Sequence, residues 1–441
     1  METVLLFVVG VLIIVVGLLI SIGLHEAGHF AFAKLFKVRV GQFMIGFGPT
    51  LFSRRKGETE YGVKAIPLGG YISMAGMFPP AKRGAAAGAA AGAGAAGGVV
   101  AEHARPATTG LFNALVQDAR DASAETILAE EEERVFYRLA WWKRVIIMLA
   151  GPAMNLVLAL VFTVVLVSGF GIAVPTTTVA AVSSGSPAAS GGLQAGDRIV
   201  SIDGTTVTSY TQETALIRAH AGQELAFVVE RDGARRTLHI TPETSTVTLV
   251  DRWGNPETDW GGNAVTEQAG LIGISTASTK QHLGLGSAFA YLGDEIGGTI
   301  KIVATLPARV IQTVQSTIEG QKRSSGGAIS IVGIGEIAGQ VAAADSPVAN
   351  RAAAMVSVLA QLNIALFAFN LVPLLPLDGG HVIGAVWEAI RRRFAAWFKR
   401  PDPGPVDMAK LVPLTLAVTG LLAIMSLALI VVDIVNPISI S

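Results

Sequence analysis

Apolar residues run almost unbroken through four separate stretches of the chain: Val4 to Phe36, Val145 to Phe170, Met355 to about Leu377, and Leu411 to Val435. Each reaches the roughly 20 residues that a helix needs to cross a bilayer, so the pattern predicts four transmembrane helices. The first is interrupted in an unexpected way. In "SIGLHEAGHFAFAKLF", residues 21 to 36, two histidines and a glutamate sit inside an otherwise lipid-compatible helix. An ionisable group near the bilayer centre costs about 3 kcal/mol or more unless it is paired, hydrated or bound to metal.

Between the second and third spans the pattern changes character. Residues about 176 to 245 alternate short β-branched runs with Gly/Pro/Asp turns, and Asp203-Gly204 and Asp232-Gly233 are hairpin signals. This predicts a small soluble β-rich domain inserted between spans. The order of "GSPA", "GLQAGDRIVSIDG", a helix-like "QETALIRAH" and a hairpin resembles a PDZ domain, a module that takes extended chain ends by β-strand addition. From Leu283 to Leu306, Phe289, Leu292, Ile296, Ile300 and Val303 recur every three or four residues, which predicts a helix with one apolar face. That face suits either the outer membrane surface or the underside of the soluble domain. The fold class expected is a multi-span α-helical membrane protein of about four transmembrane helices, with an inserted extracytoplasmic β-rich, PDZ-like domain.

Composition narrows the chemistry. Hydrophobic residues make up 51 % and charged residues 15 % of the 441, which suits a membrane protein carrying soluble parts. The 33 Lys+Arg balance 33 Asp+Glu, so nothing favours a nucleic-acid partner. No cysteine is present, which leaves His and carboxylates as the ligands for any metal. Basic residues set the threading. Arg39, Arg54, Arg55, Lys56, Lys64, Lys82, Arg83, Lys143 and Arg144 lie between the first two spans. Arg391, Arg392, Arg393, Lys399, Arg400 and Lys410 lie between the last two. The positive-inside rule puts both loops in the cytoplasm, and both termini and the β-rich domain outside. The N-terminus lacks a basic n-region and a small-residue cleavage site, so the first span is expected to remain as an anchor. The "GAAAGAAAGAGAAGG" tract at 84 to 98 has no side chain able to build a core and reads as a tether.

The organisation expected is a first span at 1–36, then a cytoplasmic loop at 37–140 holding a hairpin at 46–77. A second span at 141–172 and the PDZ-like domain at 176–245 follow. A linker with the amphipathic helix occupies 246–350, a third span 351–380, a second cytoplasmic loop 381–410, and a fourth span 411–436.

His25 and His29 are four residues apart, so on a helix they project from one face and can bind one zinc ion. Glu26 points toward the neighbouring space, where it can take a proton from metal-bound water. A third ligand is missing nearby: the position six residues past His29 is Leu35, and the next glutamate is Glu58 beyond a turn. In "FNLVPLLPLDGGHV", residues 369 to 382, Asp378 is the one acidic residue embedded in the third span. Pro373 and Pro376 break the helix around it and allow it to point into a cavity. His25, His29 and Asp378 are thus expected to hold Zn²⁺, with water in the fourth position, the mark of a catalytic site. Asn363 and Asn370 share a helix face ahead of Asp378. Amides in a span serve either substrate backbone or helix-to-helix hydrogen bonds.

"HEAGH" in the first span and "NLVPLLPLDGG" in a later one, with a PDZ-like insertion between, resemble the site-2 protease family of intramembrane zinc metalloproteases, its bacterial RseP-type branch in particular. "GFGP" at 46 to 49, "IPLGGYISMAGM" at 66 to 77 and "AGPAMN" at 150 to 155 resemble further family pieces. Two features depart from the pattern: Pro376 follows Pro373 by three residues rather than two, and one PDZ-like domain is legible rather than two, as in single-PDZ actinobacterial relatives. The resemblance implies a zinc metalloendopeptidase of the bacterial plasma membrane with Glu26 as general base. Its substrates would be single-span membrane proteins, anti-sigma factors already trimmed outside. It also implies that Gly69, Gly70 and Tyr71 lie on a membrane-dipping strand that pairs with an unwound substrate, and that Asn370 and Asn155 are motif asparagines; Asn363 rests on spacing alone. The PDZ-like domain would filter substrates by size or read the trimmed end. A zinc-binding transporter or sensor without hydrolysis, or a PDZ adaptor with an inert membrane part, are the competing readings, and only the enzyme needs a base at Glu26.

Overall fold

The computed structural model describes residues 2–79, 133–249, 257, 259, 264–320 and 328–437. The Ala/Gly-rich tract at 84–98 lies outside them. Among the described residues, four helices are long and apolar enough to cross a membrane: Glu2–Leu35, Trp141–Phe170, Val348–Asn370 and Met408–Val435. The four expected spans are therefore present. The third stops at Asn370, because residues 371–377, with Pro373 and Pro376, form turns rather than helix.

The chain divides into two compact units, Met1–Phe162 with Leu292–Val303 and Thr313–Ser441, and Thr163–Tyr291 with Ala304–Gln312. In the first, helix α1 (Glu2–Leu35) carries the His/Glu motif near its end. It runs into strand β1 (Val40–Lys56) and strand β2 (Thr59–Met74), which pair antiparallel with several register shifts. Those shifts fold both strands back on themselves, so that Gln42–Ile45 is flanked on one side by Glu60–Val63 and on the other by Gly70–Ser73. Residues 70–74 consequently have a strand partner on one side only among the described residues. Arg134 and Lys34 clasp Glu58 at the turn of this hairpin, and the Arg134 hydrogen bonds hold its carboxyl down to about 2.

Helix α2 (Trp141–Val164) packs Ile147 and Met148 against Ala33 and Val38 at the end of α1. Later elements close the unit. Helix α5 (Leu285–Ile318) places Leu292 against Ala159 of α2 and Ile364 of helix α7 (Val348–Asn370). A short apolar helix, α6 (Ile331–Ala343), packs Ala338 on Ile14 of α1 and Met355 of α7. Helix α8 (Asp378–Trp397) follows the proline turns, and α9 (Val412–Val435) is the last span. Asp433 of α9 accepts from the N–H groups of Ser330 and Gly333, which caps α6 with a buried carboxylate. Large apolar side chains such as Val4, Leu12, Leu421 and Ile424 remain exposed on the spans, as lipid contact allows.

The second unit is a sheet in the order β10-β3-β4-β6-β7. Its strands are β3 (Ile172–Val182), β4 (Arg198–Ile202), β6 (Leu225–Arg231), β7 (Ala234–Ile240) and β10 (Ile274–Gln281); β5 (Thr205–Thr206) pairs with β4. The short helix α3 (Pro187–Ser190), helix α4 (Tyr210–Ala219) and a ribbon of β8 (Glu243–Thr248) with β9 (Thr266–Leu271) complete it. Val179, Ile199, Ile202, Ile217, Phe227, Val229 and Ile240 form its core. Asp203-Gly204 and Asp232-Gly233 both have positive φ, the geometry of tight hairpin turns. Strands continue past residue 245: β10, "ISTASTKQ", pairs along all of β3. Its polar alternation of Ser and Thr gives little hydrophobic signal, which is why sequence pattern ended the domain earlier.

Candidate metal centre and active site

The i, i+4 spacing of His25 and His29 on α1 brings their Nε2 atoms to 3.1 Å. Asp378, the first residue of α8, places Oδ2 3.3 Å from each Nε2. The three ligand atoms lie within 4.8 Å of one another. Asp378 Oδ2 is buried and makes no hydrogen bond among the described residues, so an orphaned carboxylate oxygen faces two imidazole nitrogens. Unpaired, that arrangement is costly; a divalent cation among the three atoms relieves it. Two imidazoles and one carboxylate are the donor set of a catalytic zinc site, and the residues therefore fit the group.

The remaining ring nitrogens are fixed by α2. His29 Nδ1 donates to the Ile147 carbonyl at 2.7 Å, which leaves Nε2 with its lone pair free. His25 Nδ1 lies 3.1 Å from the side-chain amide of Asn155, which is fully buried. With the amide oxygen turned to the ring, Nδ1–H donates to it, the otherwise partnerless Asn155 Oδ1 is satisfied, and Nε2 again faces Asp378. Ile147 and Asn155 both belong to α2, so that one helix orients both imidazoles.

Glycines let the elements close in. A Cβ on Gly28 would come within 2.8 Å of the Ala150 carbonyl carbon, so α1 and α2 touch backbone to backbone. A Cβ on Gly151 would lie 2.6 Å from Cδ2 and Cε1 of His29 and closer still to Nε2. At the other end, Cβ atoms on Gly379 and Gly380 would lie 2.6 Å from backbone atoms of Leu371 and Leu375, so the proline turns fold down onto the start of α8 and fix Asp378.

Glu26, 9 % exposed, lies beside strand β2: a Cβ on Gly70 would fall 2.9 Å from Glu26 Cγ. Gly69 has φ +112, and Phe47 and Tyr71 stack at 6.3 Å on the same hairpin. The structure thus brings Gly70 to the glutamate. It does not bring the three asparagines, Asn155, Asn363 and Asn370, to one place. Asn155 is behind His25, while Asn363 and Asn370 donate to the carbonyls of Leu359 and Leu366 one turn back on their own helix. Residues that pattern alone did not single out are Ile147, through its carbonyl, and Gly28 and Gly151. Gly151 lies inside "AGPAMN", so its motif was visible and its steric purpose was not.

Comparison with known proteins agrees with this geometry. The model of "Peptidase family M50" matches residues 13–399. "Zinc metalloprotease Rip1" of Mycobacterium tuberculosis is 33 % identical over 457 residues, covering 98 % of this chain and 99 % of that protein. The Mycolicibacterium smegmatis protein of the same name is 30 % identical and covers 99 % of both. "Metalloprotease MmpA" of Caulobacter vibrioides is 30 % identical, covering 87 % of this chain and 89 % of that protein. With a family match across most of its length and relatives aligned nearly end to end, the chain belongs to peptidase family M50, the site-2 proteases.

Proposed function

We propose that this membrane zinc metalloprotease cuts single-span membrane proteins within or beside their transmembrane segments, with anti-sigma factors, first trimmed outside the cell, as the substrate class. The observation that carries the reading is the convergence of Asp378 on His25 and His29, which lie beside Glu26 in the first span. We assign the first three as zinc ligands and Glu26 as the general base. Zinc, when bound, supplies an acidified water and polarises the scissile carbonyl. Glu26 accepts a proton from the attacking water and returns it to the leaving amine. Asn155 and Ile147 hold the imidazoles in the tautomers that the ligand role requires.

A transmembrane helix resists cleavage because its carbonyls are already hydrogen-bonded, so the substrate must be extended. The one-sided strand at Gly70–Met74 offers unpaired backbone groups beside Glu26, which supports its pairing with the unwound substrate. Tyr71 and Gly69 shape that strand, and Asn370 and Asn363 remain candidates for contacts further along the chain being cut. Basic residues in the loops after the first and third spans support cytoplasmic placement of those loops, and thus both termini and the β-rich unit outside.

In the β-rich unit, Val174–Thr177 of β3 and Tyr210, Thr214 and Arg218 of α4 line a groove of about 860 Å³. Among the described residues β3 pairs with β4 only at Thr178, so its first half has an edge to which a strand could be added. This supports a PDZ-like reader of the trimmed substrate end over a size filter alone. The experiment that tests the enzyme reading is co-expression of the wild type or Glu26→Gln with a single-span substrate. Uncut substrate should accumulate with Glu26→Gln while zinc stays bound; full cleavage by that variant would overturn it.

A further inference from the structure

Helix α8 has a second face that the metal centre does not use. At 100° per residue, Ile383, Trp387, Ile390, Phe394 and Trp397 fall within roughly 80° of arc. All five are exposed, Trp397 at 77 %. Phe394, Trp397 and Phe398 stack on one another with centroids 6.2–6.5 Å apart. Arg391 and Arg393 lie on either side of this stripe, each roughly 40° beyond its edge. Arg393, Lys399 and Arg400 are exposed and have no carboxylate partner among the described residues. The opposite face is the one held by protein: Gly384 meets Met408, and Glu388 pairs with Arg144 of α2 at 2.6 Å and with Arg392. An aromatic stripe with basic flanks, on a helix not among the four apolar enough to cross, is the pattern of a helix lying in a membrane surface. Both ends of α8 connect to spans, α7 through residues 371–377 and α9 through residues 398–411, which keeps it at that surface.

We propose that α8 is an anionic-phospholipid-binding surface helix, and that headgroup contact through Arg393, Lys399 and Arg400 steadies the zinc ligand at its first residue, Asp378. The charge selects the occupant: an uncovered set of cations beside an apolar stripe complements an acidic bilayer surface rather than a neutral one. The connection to the ligand is mechanical. Asp378 and Glu388 are on one continuous helix, so a restraint on its outer face acts on both.

The inference rests on the metal assignment above, and its test uses readouts that do not need hydrolysis. The full chain is placed in nanodiscs of phosphatidylcholine alone, or with an equal part of phosphatidylglycerol. Hydrogen exchange of α8 amides and the rate of zinc loss to a chelator are then followed. With the anionic lipid, α8 should exchange several-fold more slowly and zinc should leave several-fold more slowly, in the wild type and equally in Glu26→Gln. A variant carrying Arg393→Gln, Lys399→Gln and Arg400→Gln should lose most of the response, since each basic side chain contributes about fivefold in affinity for an acidic surface. Its behaviour in phosphatidylcholine should match the wild type. Identical wild-type behaviour in the two bilayers would overturn the proposal, as would an undiminished response in the triple variant. So would reproduction of the effect by inorganic phosphate, or cross-linking of the stripe to a second copy. Loss of cleavage in Glu26→Gln with the lipid response intact separates this inference from the protease reading.

Discussion

Replacing Gly151 by alanine should remove zinc while leaving the fold in place. On propensity alone the change is favourable, because Ala exceeds Gly in a helix by about 1 kcal/mol. The site reverses that expectation. The added methyl would sit 2.6 Å from two carbons of His29, where ordinary contact begins near 3.4 Å, so ring or helix must yield by roughly 1 Å. The ring has no free direction in which to retreat, since Nδ1 is already bonded to the Ile147 carbonyl at 2.7 Å on the same helix as the intruding methyl. Moving α2 away instead would open the backbone contact between Gly28 and Ala150. A zinc–nitrogen bond tolerates only about 0.2 Å around its preferred length, so a ligand shifted this far no longer binds well. Disturbing a group that only orients a ligand costs 10–100-fold in affinity, roughly 1.4–2.7 kcal/mol, and displacing the ligand itself must cost at least that. Chelator competition on the purified protein gives the affinity, thermal unfolding gives stability, and cleavage of a single-span substrate gives activity. Affinity and activity should fall together while thermal unfolding stays cooperative, its midpoint lowered by no more than the roughly 1–3 kcal/mol of an overpacked site and the lost metal allow. A Gly151→Ala protein that held zinc at wild-type affinity would refute the steric argument.

Other groups give further expectations. Asn155→Ala should weaken zinc binding by about 10–100-fold with little loss of folded protein, read by the same chelator competition, because it frees the His25 ring to turn. Glu388→Gln should leave Arg144 charged and unpaired in a buried site, costing about 3–5 kcal/mol, whereas replacing both residues by methionine should recover most of it; equal unfolding temperatures for the wild type and Glu388→Gln would sink this. In the β-rich unit, burial without a partner for Oε2 pushes the Glu213 carboxyl up to about 7. Its folded value is raised above the unfolded one, so the folded state binds more protons between about pH 4.5 and 7, and stability falls as pH rises through that window, by up to about 3 kcal/mol. Exchange protection of α4 should therefore be higher at pH 5 than at pH 8 in the wild type and nearly level in Glu213→Gln.

What the sequence disclosed and what it hid follow from the range of the interactions involved. The spans and the His25/Glu26/His29 cluster were legible because lipid penalises polar groups so strongly that each exception demands a reason. Asp378 stands out as the acidic residue after the paired prolines, but the structure places it at the start of α8, beyond the third span, which ends at Asn370, and not embedded in that span. The hairpin turns at Asp203 and Asp232 were legible because positive φ selects a residue type locally. Strand β10 was not, since its place beside β3 is set by a partner nearly a hundred residues earlier and not by its own Ser/Thr alternation. The same holds for Asn155. From sequence it was an amide in a span, equally suited to substrate or to a neighbouring helix; only the three-dimensional register of α2 against α1 shows that it faces His25. The orientation of the proposed metal centre is thus carried largely by atoms with no sequence signature. The Ile147 carbonyl belongs to every residue type, and Gly151 acts through the side chain it lacks. A motif search finds the ligands because ligands are chemically distinctive. It passes over the groups that aim them, because backbone carbonyls and empty space have no chemistry of their own until a second helix supplies the ring they hold.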